Sequence, residues 1–384
     1  MHASHDSLFW VACHTFETRR RSRVLVAATW CVFVALVATR AAAAELASER
    51  AAAVDAAATK YHQEKRVPGL SVAIACGGEL VFERGYGLAD MENGVPATHE
   101  TVYRLASISK MLTGVAVMQL VEQSKLDLAA PIQKYVPGFP EKQAPITAEL
   151  LLKHQSGIRH YKGEEVRSTV FYQRVGDALR IFQDDPLLFA PGDKFSYTTY
   201  GFNLLGAAIE GASGQDYVAY VQEHICQPAG MKTIQPDNPY KLIPHRAAGY
   251  RLKTPALNSE LLNDFMVDVT NKIPGGGWCS TAGDLARFAI ALTDDRLVTS
   301  ASRERMWTPQ KTAGGAETPC GLACFLATHN GEKRVFHGGG QPKVSTFLIL
   351  APDKRAAVAV MSNLQGTPVQ GLAGELLDLV TSNP

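Results

Sequence analysis

The stretch Arg104-Leu105-Ala106-Ser107-Ile108-Ser109-Lys110-Met111 runs directly into an uncharged apolar segment that ends near Val121. It reads as a nucleophile mounted on a buried helix. Ser107 stands where the helix would begin and Lys110 follows three residues later, so the two side chains share a face, one turn apart. A serine hydroxyl stays protonated at neutral pH and is a weak nucleophile unless a neighbouring base takes its proton during attack. A lysine amine can be that base when burial lowers its pKa. The S-x-x-K spacing alone also fits a serine N-cap followed by an exposed lysine, so its weight depends on the rest of the chain.

Working outward, Ile108, Met111, Leu112, Val115 and Met118 fall near one helical face through about Lys125, and the absence of charge over 111–120 predicts burial on most sides. Thr147 caps a short helix to Lys153, which His154-Gln155-Ser156-Gly157 breaks; His154 reads as a cation at a helix end. Residues 158–270 read as mainly helix and loop, with helices over 175–183, 201–211 and 216–225. The loop Phe195-Ser196-Tyr197-Thr198-Thr199-Tyr200 feeds the second of these.

Strand signals lie at the two ends instead. A helix over 45–66 stops at Pro68 and Gly69, and β-favouring runs at 70–76 and 79–84 flank the hairpin signal Gly77-Gly78, with 86–89 extending the meander. Gly275-Gly276-Gly277 marks a loop of close backbone approach, and Ser280-Thr281-Ala282-Gly283-Asp284 opens a helix to about residue 292. Runs at 322–327, 334–337, 345–350 and 356–361 are β-rich, Pro352-Asp353-Lys354-Arg355 turns the last two into a hairpin, and 369–381 closes as a helix. The economical fold is α+β: one antiparallel sheet built from both termini and flanked by the terminal helices, with a mainly helical lobe inserted. The α/β lobe is 45–105 plus 271–384, the helical lobe is 106–270, and the cleft between them is the expected ligand site.

Composition bounds the partners. With 384 residues, 46% hydrophobic and 20% charged, the chain is globular rather than disordered or fibrous. Lys plus Arg is 38 against 37 for Asp plus Glu, a balance without a field that recruits nucleic acid or an anionic membrane, so a small-molecule or peptide substrate is expected. Residues 1–44 have the layout of a secretory signal: Arg19, Arg20, Arg21 and Arg23, an apolar run over 24–38, then Ala41-Ala42-Ala43-Ala44. Cleavage near Ala44 makes the protein periplasmic or secreted; an uncleaved anchor, which would hold it to the membrane, is the alternative. Cys76, Cys226, Cys279, Cys320 and Cys324 remain after cleavage, and an odd count cannot pair completely. A Cys320–Cys324 or Cys279–Cys320 bridge is conceivable, with scattered buried thiols the preferred reading. His329 near Cys320 and Cys324 lacks a fourth ligand at metal spacing.

Five pieces stand in one order: S-x-x-K at Ser107 and Lys110, L-L-K-H-Q-S-G-I at 151–158, the tyrosine loop at Tyr197 before G-F-N-L-L-G, G-G-G-W-C-S-T-A-G-D-L-A-R-F at 275–288, and H-G-G at 337–339. Over roughly residues 60–380 the chain resembles the serine β-lactamase and penicillin-binding protein superfamily, nearest the class C β-lactamases, D,D-peptidases and related esterases. The resemblance implies Ser107 as the acylated nucleophile, Lys110 and Tyr197 as proton-transfer groups, and the backbone N–H groups of Ser107 and Gly340 as the oxyanion hole. It implies substrate-binding positions at Thr199, His337, Gly338 and Gly339, and neither a metal nor an organic cofactor. For Tyr197 to act as a base, a cationic Lys110 would have to pull its pKa down from about 10.

Two positions depart from the family pattern. The tyrosine loop commonly reads Y-x-N, and here Thr199 lacks the carboxamide. The K-T-G strand motif reads His337-Gly338-Gly339, which replaces a permanent cation with a group largely neutral at pH 7. The function expected is therefore an exported serine hydrolase acting through an acyl-enzyme on an ester or amide. A β-lactamase, a D-Ala-D-Ala carboxypeptidase or a slowly deacylating penicillin-binding sensor is the alternative.

Overall fold

The computed structural model describes residue 46 and residues 48–382; the segment read as an export signal lies outside them. Alanine-rich sequence forms α1 (Ser48–Glu64) and turns Val54 and Ala58 inward. Gly77 and Gly78, at φ of 64° and 88°, make the two-residue turn whose twist suits a hairpin between β1 (Gly69–Cys76) and β2 (Glu79–Asp90). The short strands β3 (Val95–Pro96) and β4 (Tyr103–Arg104) lead to a 3-10 turn at Ala106–Ile108 and to α2 (Ser109–Glu122), buried from Ser109 to Leu120. Helix α3 (Ala148–Leu152) starts at Thr147, whose hydroxyl accepts from the Leu150 N–H at 3.3 Å. Two 3-10 segments, Gly163–Arg167 and Val175–Ile181, precede α4 (Tyr200–Ser213). Then come α5 (Tyr217–Val221), a π turn at Gln222–Cys226, and α6 (Gln227–Ala229).

Three short strands follow, β5 (Gln235–Pro236), β6 (Tyr250–Leu252) and β7 (Leu261–Asn263). Next are α7 (Ile273–Gly276), β8 (Trp278–Ser280), α8 (Ala282–Thr293) and α9 (Ser300–Met306). The chain closes with β9 (Phe325–His329), β10 (Glu332–Gln341), β11 (Val344–Ala351), β12 (Ala356–Ser362) and α10 (Val369–Thr381).

The main sheet is antiparallel with strand order β3-β2-β1-β12-β11-β10-β9, so it is built from both ends of the described chain. Its seam pairs Val72 with Val360 and Ile74 with Val358. On one face Ala73 and Ala75 of β1 and Ala357, Ala359 and Met361 of β12 share a core with Leu285 and Ala289 of α8. The alternate residues Val72, Ile74, Val358 and Val360 are buried too, and α10 packs on β11, β12 and α1. Covering both faces explains why these strands read as nearly continuous apolar runs. Strand β9 pairs with β10 only from Glu332 to Phe336, so His337–Gln341 keep one edge without a strand partner among the described residues.

Three expectations are corrected. The glycine run at 275–277 is no open loop: Ile273–Gly276 form a helical turn, though the close approach is there, since a Cβ on Gly275 would lie 2.5 Å from Thr199 Cγ2. Within 158–270 the hairpin β6–β7 and the strand β5 of a small sheet β4-β8-β5 were not foreseen. Residues 322–324 are not strand, because Leu322 N–H turns back to the Met306 carbonyl at 2.8 Å and Ala323 sits at φ 62°. The preferred reading of the cysteines holds: all five described cysteines are free thiols, four of them buried, and neither conceivable bridge forms.

Candidate active site

The turn that carries Ser107 is pinned from two sides. Strand β4 pairs Tyr103 with Ser280 and Arg104 with Cys279, and the Leu105 N–H donates to the Trp278 carbonyl at 2.7 Å. From the other side, Thr346 Oγ1 donates to the Leu105 carbonyl at 3.0 Å. Gly339 of β10 lies so close that a Cβ there would overlap Thr346 Oγ1 and the Leu105 carbonyl. Between these holds, Ala106 takes φ 48°, a left-handed conformation unfavourable for a residue with a side chain. The turn presents Ser107 half-buried at the head of α2.

Lys110, completely buried, reaches three neutral oxygens: Ser107 Oγ at 3.2 Å, Thr199 Oγ1 at 3.2 Å and the Gly275 carbonyl at 2.6 Å. Desolvation, and after it the charge of Lys272, pushes its ammonium pKa well below the ordinary lysine value. Nζ also lies 4.9 Å from the centre of the Tyr197 ring. Burial raises the Tyr197 phenol above its ordinary pKa, and its hydrogen bond with Ser107 only partly opposes that. The directions reverse the expectation that a cationic Lys110 would ionise Tyr197: both groups are pushed toward their neutral forms. Desolvation is the reason, since a charge pair here would have to be formed out of water.

The ring of Tyr197 rests on His154, with centroids 4.5 Å apart, and meets His160 edge-on at 5.6 Å. His154 is therefore no helix-end cation. It is buried at φ 56°, its Nδ1 accepts from the Thr198 N–H at 3.1 Å, and burial holds it well below the usual histidine pKa. His160 Nδ1 accepts from the Thr199 N–H at 3.1 Å, and desolvation brings its pKa down to about 4. The two histidines thus fix the backbone on which Tyr197 and Thr199 stand. The Thr199 hydroxyl also hydrogen-bonds the Tyr161 phenol.

On the facing strand His337 is buried, with Nδ1 2.7 Å from the Gly338 carbonyl, which must accept, so Nδ1 carries the proton. Desolvation, then the charge of Lys110, takes its pKa down to about 3, so the ring is neutral. Gly338 packs on the Phe347 ring, while Gly340 is exposed with nothing within 4 Å of where a Cβ would stand. A groove of about 570 Å³ opens along Gly338–Gln341 and is bounded by Arg167 and Thr367. Structure thus gathers Ser107, Lys110, Tyr197 and Thr199 within bonding reach, with Gly339 against the turn, His337 6.3 Å from Tyr197 between ring centres, and Gly340 at the free strand edge.

Three residues near the site escaped sequence reading: His160, Tyr161 and Lys272. Lys272 is 1% exposed, donates to the Val166 carbonyl at 3.3 Å, and stands 4.8 Å over the Tyr161 ring. Desolvation, then the charge of Arg104, lowers its pKa to about 7. A lysine just ahead of the glycine run was the one available signal. No group of three or more potential metal ligands occurs among the described residues.

A family model described as Beta-lactamase matches residues 54–381. Human serine beta-lactamase-like protein LACTB, mitochondrial, is 33% identical over 302 residues, which is 61% of this chain and 54% of that protein. Protein flp of Staphylococcus aureus strain MW2 is 29% identical over 324 residues, 82% of this chain and 63% of that one. The chain therefore spans less than two thirds of the length of these curated relatives. Among solved structures, the octameric penicillin-binding protein homologue from Pyrococcus abyssi superposes with a TM-score of 0.73 at 27% identity, covering 86% of this chain and 77% of that one. EstCE1, a hydrolase with promiscuous acyltransferase activity, shares the fold at a TM-score of 0.72 and 21% identity, covering 87% and 98%. With an antiparallel sheet closed from both ends, a lysine-backed serine at its cleft and a family match over nearly the whole described chain, the protein belongs to the beta-lactamase family of serine hydrolases.

Proposed function

We propose that the protein is an exported hydrolase that cleaves an ester or amide through an acyl-enzyme on Ser107. The observation that carries this reading is the placement of Lys110 Nζ 3.2 Å from Ser107 Oγ in a site where burial favours the neutral amine. In acylation Ser107 Oγ attacks the carbonyl carbon while its proton passes to Lys110. The tetrahedral oxyanion is held by the N–H groups of Ser107 and Gly340, a pair of which each donor is worth about 10² to 10³ in rate. Collapse breaks the bond to the alcohol or amine, which leaves with a proton relayed through Tyr197. Water then attacks the ester carbonyl of acyl-Ser107 and gives a proton to the Lys110–Tyr197 pair; the bond to Ser107 Oγ breaks, Oγ takes that proton back, and the acid leaves.

The strand position where a substrate carboxylate would meet a lysine carries a neutral His337. That favours substrates recognised without a carboxylate, and so esters and simple amides over β-lactams or D-Ala-D-Ala ends. An activity panel tests it: a fluorophosphonate probe, p-nitrophenyl esters, peptides with D-Ala-D-Ala ends and a chromogenic cephalosporin. Labelling of Ser107 with ester turnover is expected, both abolished in Ser107→Ala at an unchanged melting temperature. Labelling without turnover would make the protein a slowly deacylating sensor. No labelling at all would remove the acyl-enzyme.

A further inference from the structure

Six of the ten exposed large apolar side chains among the described residues sit on three neighbouring loops: Val170 and Phe171, Tyr240 and Leu242, Phe265 and Met266. The loops are tied to one another. Phe171 meets Tyr240 edge-on with ring centres 5.5 Å apart, and the Asp268 N–H donates to the Ser168 carbonyl at 2.8 Å. The guanidinium of Arg167 covers the Phe265 ring at 4.2 Å from one side of the patch, and that of Arg251 approaches it at 4.6 Å. Lys343 Nζ lies 4.0 Å from the Met266 sulfur. Exposed apolar side chains gathered on loops tied together in this way make this face the candidate surface of interaction.

Its shape and charge say with what. Leu242 is 98% exposed, Tyr240 76% and Met266 75%, so the side chains project singly from loop tips and do not line a groove. A rigid protein partner would need a pocket for each, whereas a fluid interface accepts them without one. The rim is basic, with Lys241, Arg246, Arg251 and Lys343 around the apolar tips. Among the described residues Lys241, Arg251 and Lys343 make no ion pair with a carboxylate, whereas Arg246 shares buried Asp237 with Arg104 and Arg167 pairs with Glu164; Asp264, which accepts from the backbone N–H groups of Phe265 and Lys343, and Glu92, bonded to Asn263, are the carboxylates left beside them. The near balance of charge over the whole chain leaves these three cations, Lys241, Arg251 and Lys343, without ion-pair partners on one face. Apolar tips inside a cationic rim match a lipid surface that carries anionic head groups, with tyrosine at the level where an aromatic ring with a polar end is favoured.

We propose that the loops bearing Tyr240, Leu242 and Met266 dock the protein on an anionic lipid surface, beside the groove that Arg167 shares with Gly340. The groove mouth then faces the lipid boundary. The docking requires no membrane-crossing helix and is separate from any contribution of the N-terminal segment.

The test uses the full chain, with vesicles of phosphatidylcholine alone and of phosphatidylcholine mixed with phosphatidylglycerol. Hydrogen–deuterium exchange is the local readout. Segments 238–246 and 263–268 are expected to gain protection on the anionic vesicles, with a partition roughly hundredfold above that on neutral ones, lost at high salt. The triple variant Tyr240→Ser, Leu242→Ser, Met266→Ser is expected to lose that protection and at least about tenfold in partition, with hydrolysis of a soluble p-nitrophenyl ester unchanged. Cosedimentation without protection of the two segments would place attachment elsewhere in the chain and overturn the proposal. Binding by the triple variant equal to wild type would overturn it as well. So would a wild-type dimer that the triple variant dissolves, since the patch would then face a second copy of the chain.

Discussion

Two buried lysines set the chemistry at the scale of single residues. In the proposed mechanism Lys110 accepts the Ser107 proton, so kcat/KM should rise with pH as Lys110 loses its own. The charge of Lys272 contributes to holding Lys110 low, and a like charge removed lets the pKa climb back. Lys272→Met is therefore expected to move the acid limb of the kcat/KM profile to higher pH, which a substitution that merely loosened packing would not do. Stability gives the same variant a second reading. Lys272 titrates near 7 in the folded protein and near 10.4 when unfolded, so the cost of burying its cation is complete below pH 7 and is relieved between those values. Urea unfolding should show Lys272→Met stabilised over wild type at pH 6, with the advantage shrinking toward pH 10. Tyr197 is asked for a different service. Kept protonated by burial, it can pass a proton between Lys110 and the leaving group without ionising first. Tyr197→Phe should lower kcat at least tenfold, on the order of what positioned acid–base groups supply, and should leave the melting temperature little changed. Wild-type turnover in that variant would take Tyr197 out of the reaction.

At the scale of elements, the active serine depends on how closely β10 approaches the turn at Ala106–Ile108. Gly339 and Gly340 separate the two demands on that strand. A methyl at 339 has to displace Thr346 Oγ1 and the Leu105 carbonyl, whereas a methyl at 340 enters open space. Gly339→Ala should cost about 1 to 3 kcal/mol and lose most fluorophosphonate labelling, as the turn is pushed off its register. Gly340→Ala should stay within about 0.5 kcal/mol of wild type in the same unfolding measurement. Comparable destabilisation by both would mean that strand propensity, not contact with the turn, sets the cost. Helix α8 is held in an equivalent way. Buried Asp284 accepts from the backbone N–H groups of Lys232 and Thr233 at 2.9 and 2.8 Å and from the Ser280 hydroxyl at 2.7 Å. The residue that reads in sequence as a helix-opening acid thus joins α8 to the segment before β5 and to β8. That role was invisible because Lys232 and Thr233 lie 52 and 51 residues upstream.

For the molecule as a whole, legibility followed the range of the interactions. The β1–β2 hairpin was readable because Gly77-Gly78 encodes its own turn, and α10 because its apolar face repeats within 13 residues. Pairings of two or three residues, as in β4, β5 and β8, have no period to read. The glycine half of β10 carries no β-propensity and is strand only because β11 pairs with it. In the candidate site, the Ser107–Lys110 pair that the structure holds together could be read from its spacing, and Tyr197 only from the resemblance to the family. Lys272 and His160 could not, since nothing local distinguishes a buried lysine or histidine from an exposed one. The same long-range character bears on how the protein unfolds. A sequence reading divides it into an α/β lobe and a helical lobe, and a lobe that folded alone would melt alone. Yet one continuous core runs from Ala73 and Ala75 in β1 through Met111 and Val115 in α2 and Leu204 and Ile209 in α4 to Ala357 and Met361 in β12. Lys110 stands on α2 inside that core and Ser107 on the turn just ahead of it, so the site cannot open far without the sheet. Unfolding in urea should therefore show one transition, with the fluorescence of buried Trp278 and Trp307 and the loss of fluorophosphonate labelling sharing a midpoint. Labelling lost at lower urea than fluorescence would show that the turn and the tyrosine loop open locally, and the site would then be less firmly set than its packing against β10 and α7 requires.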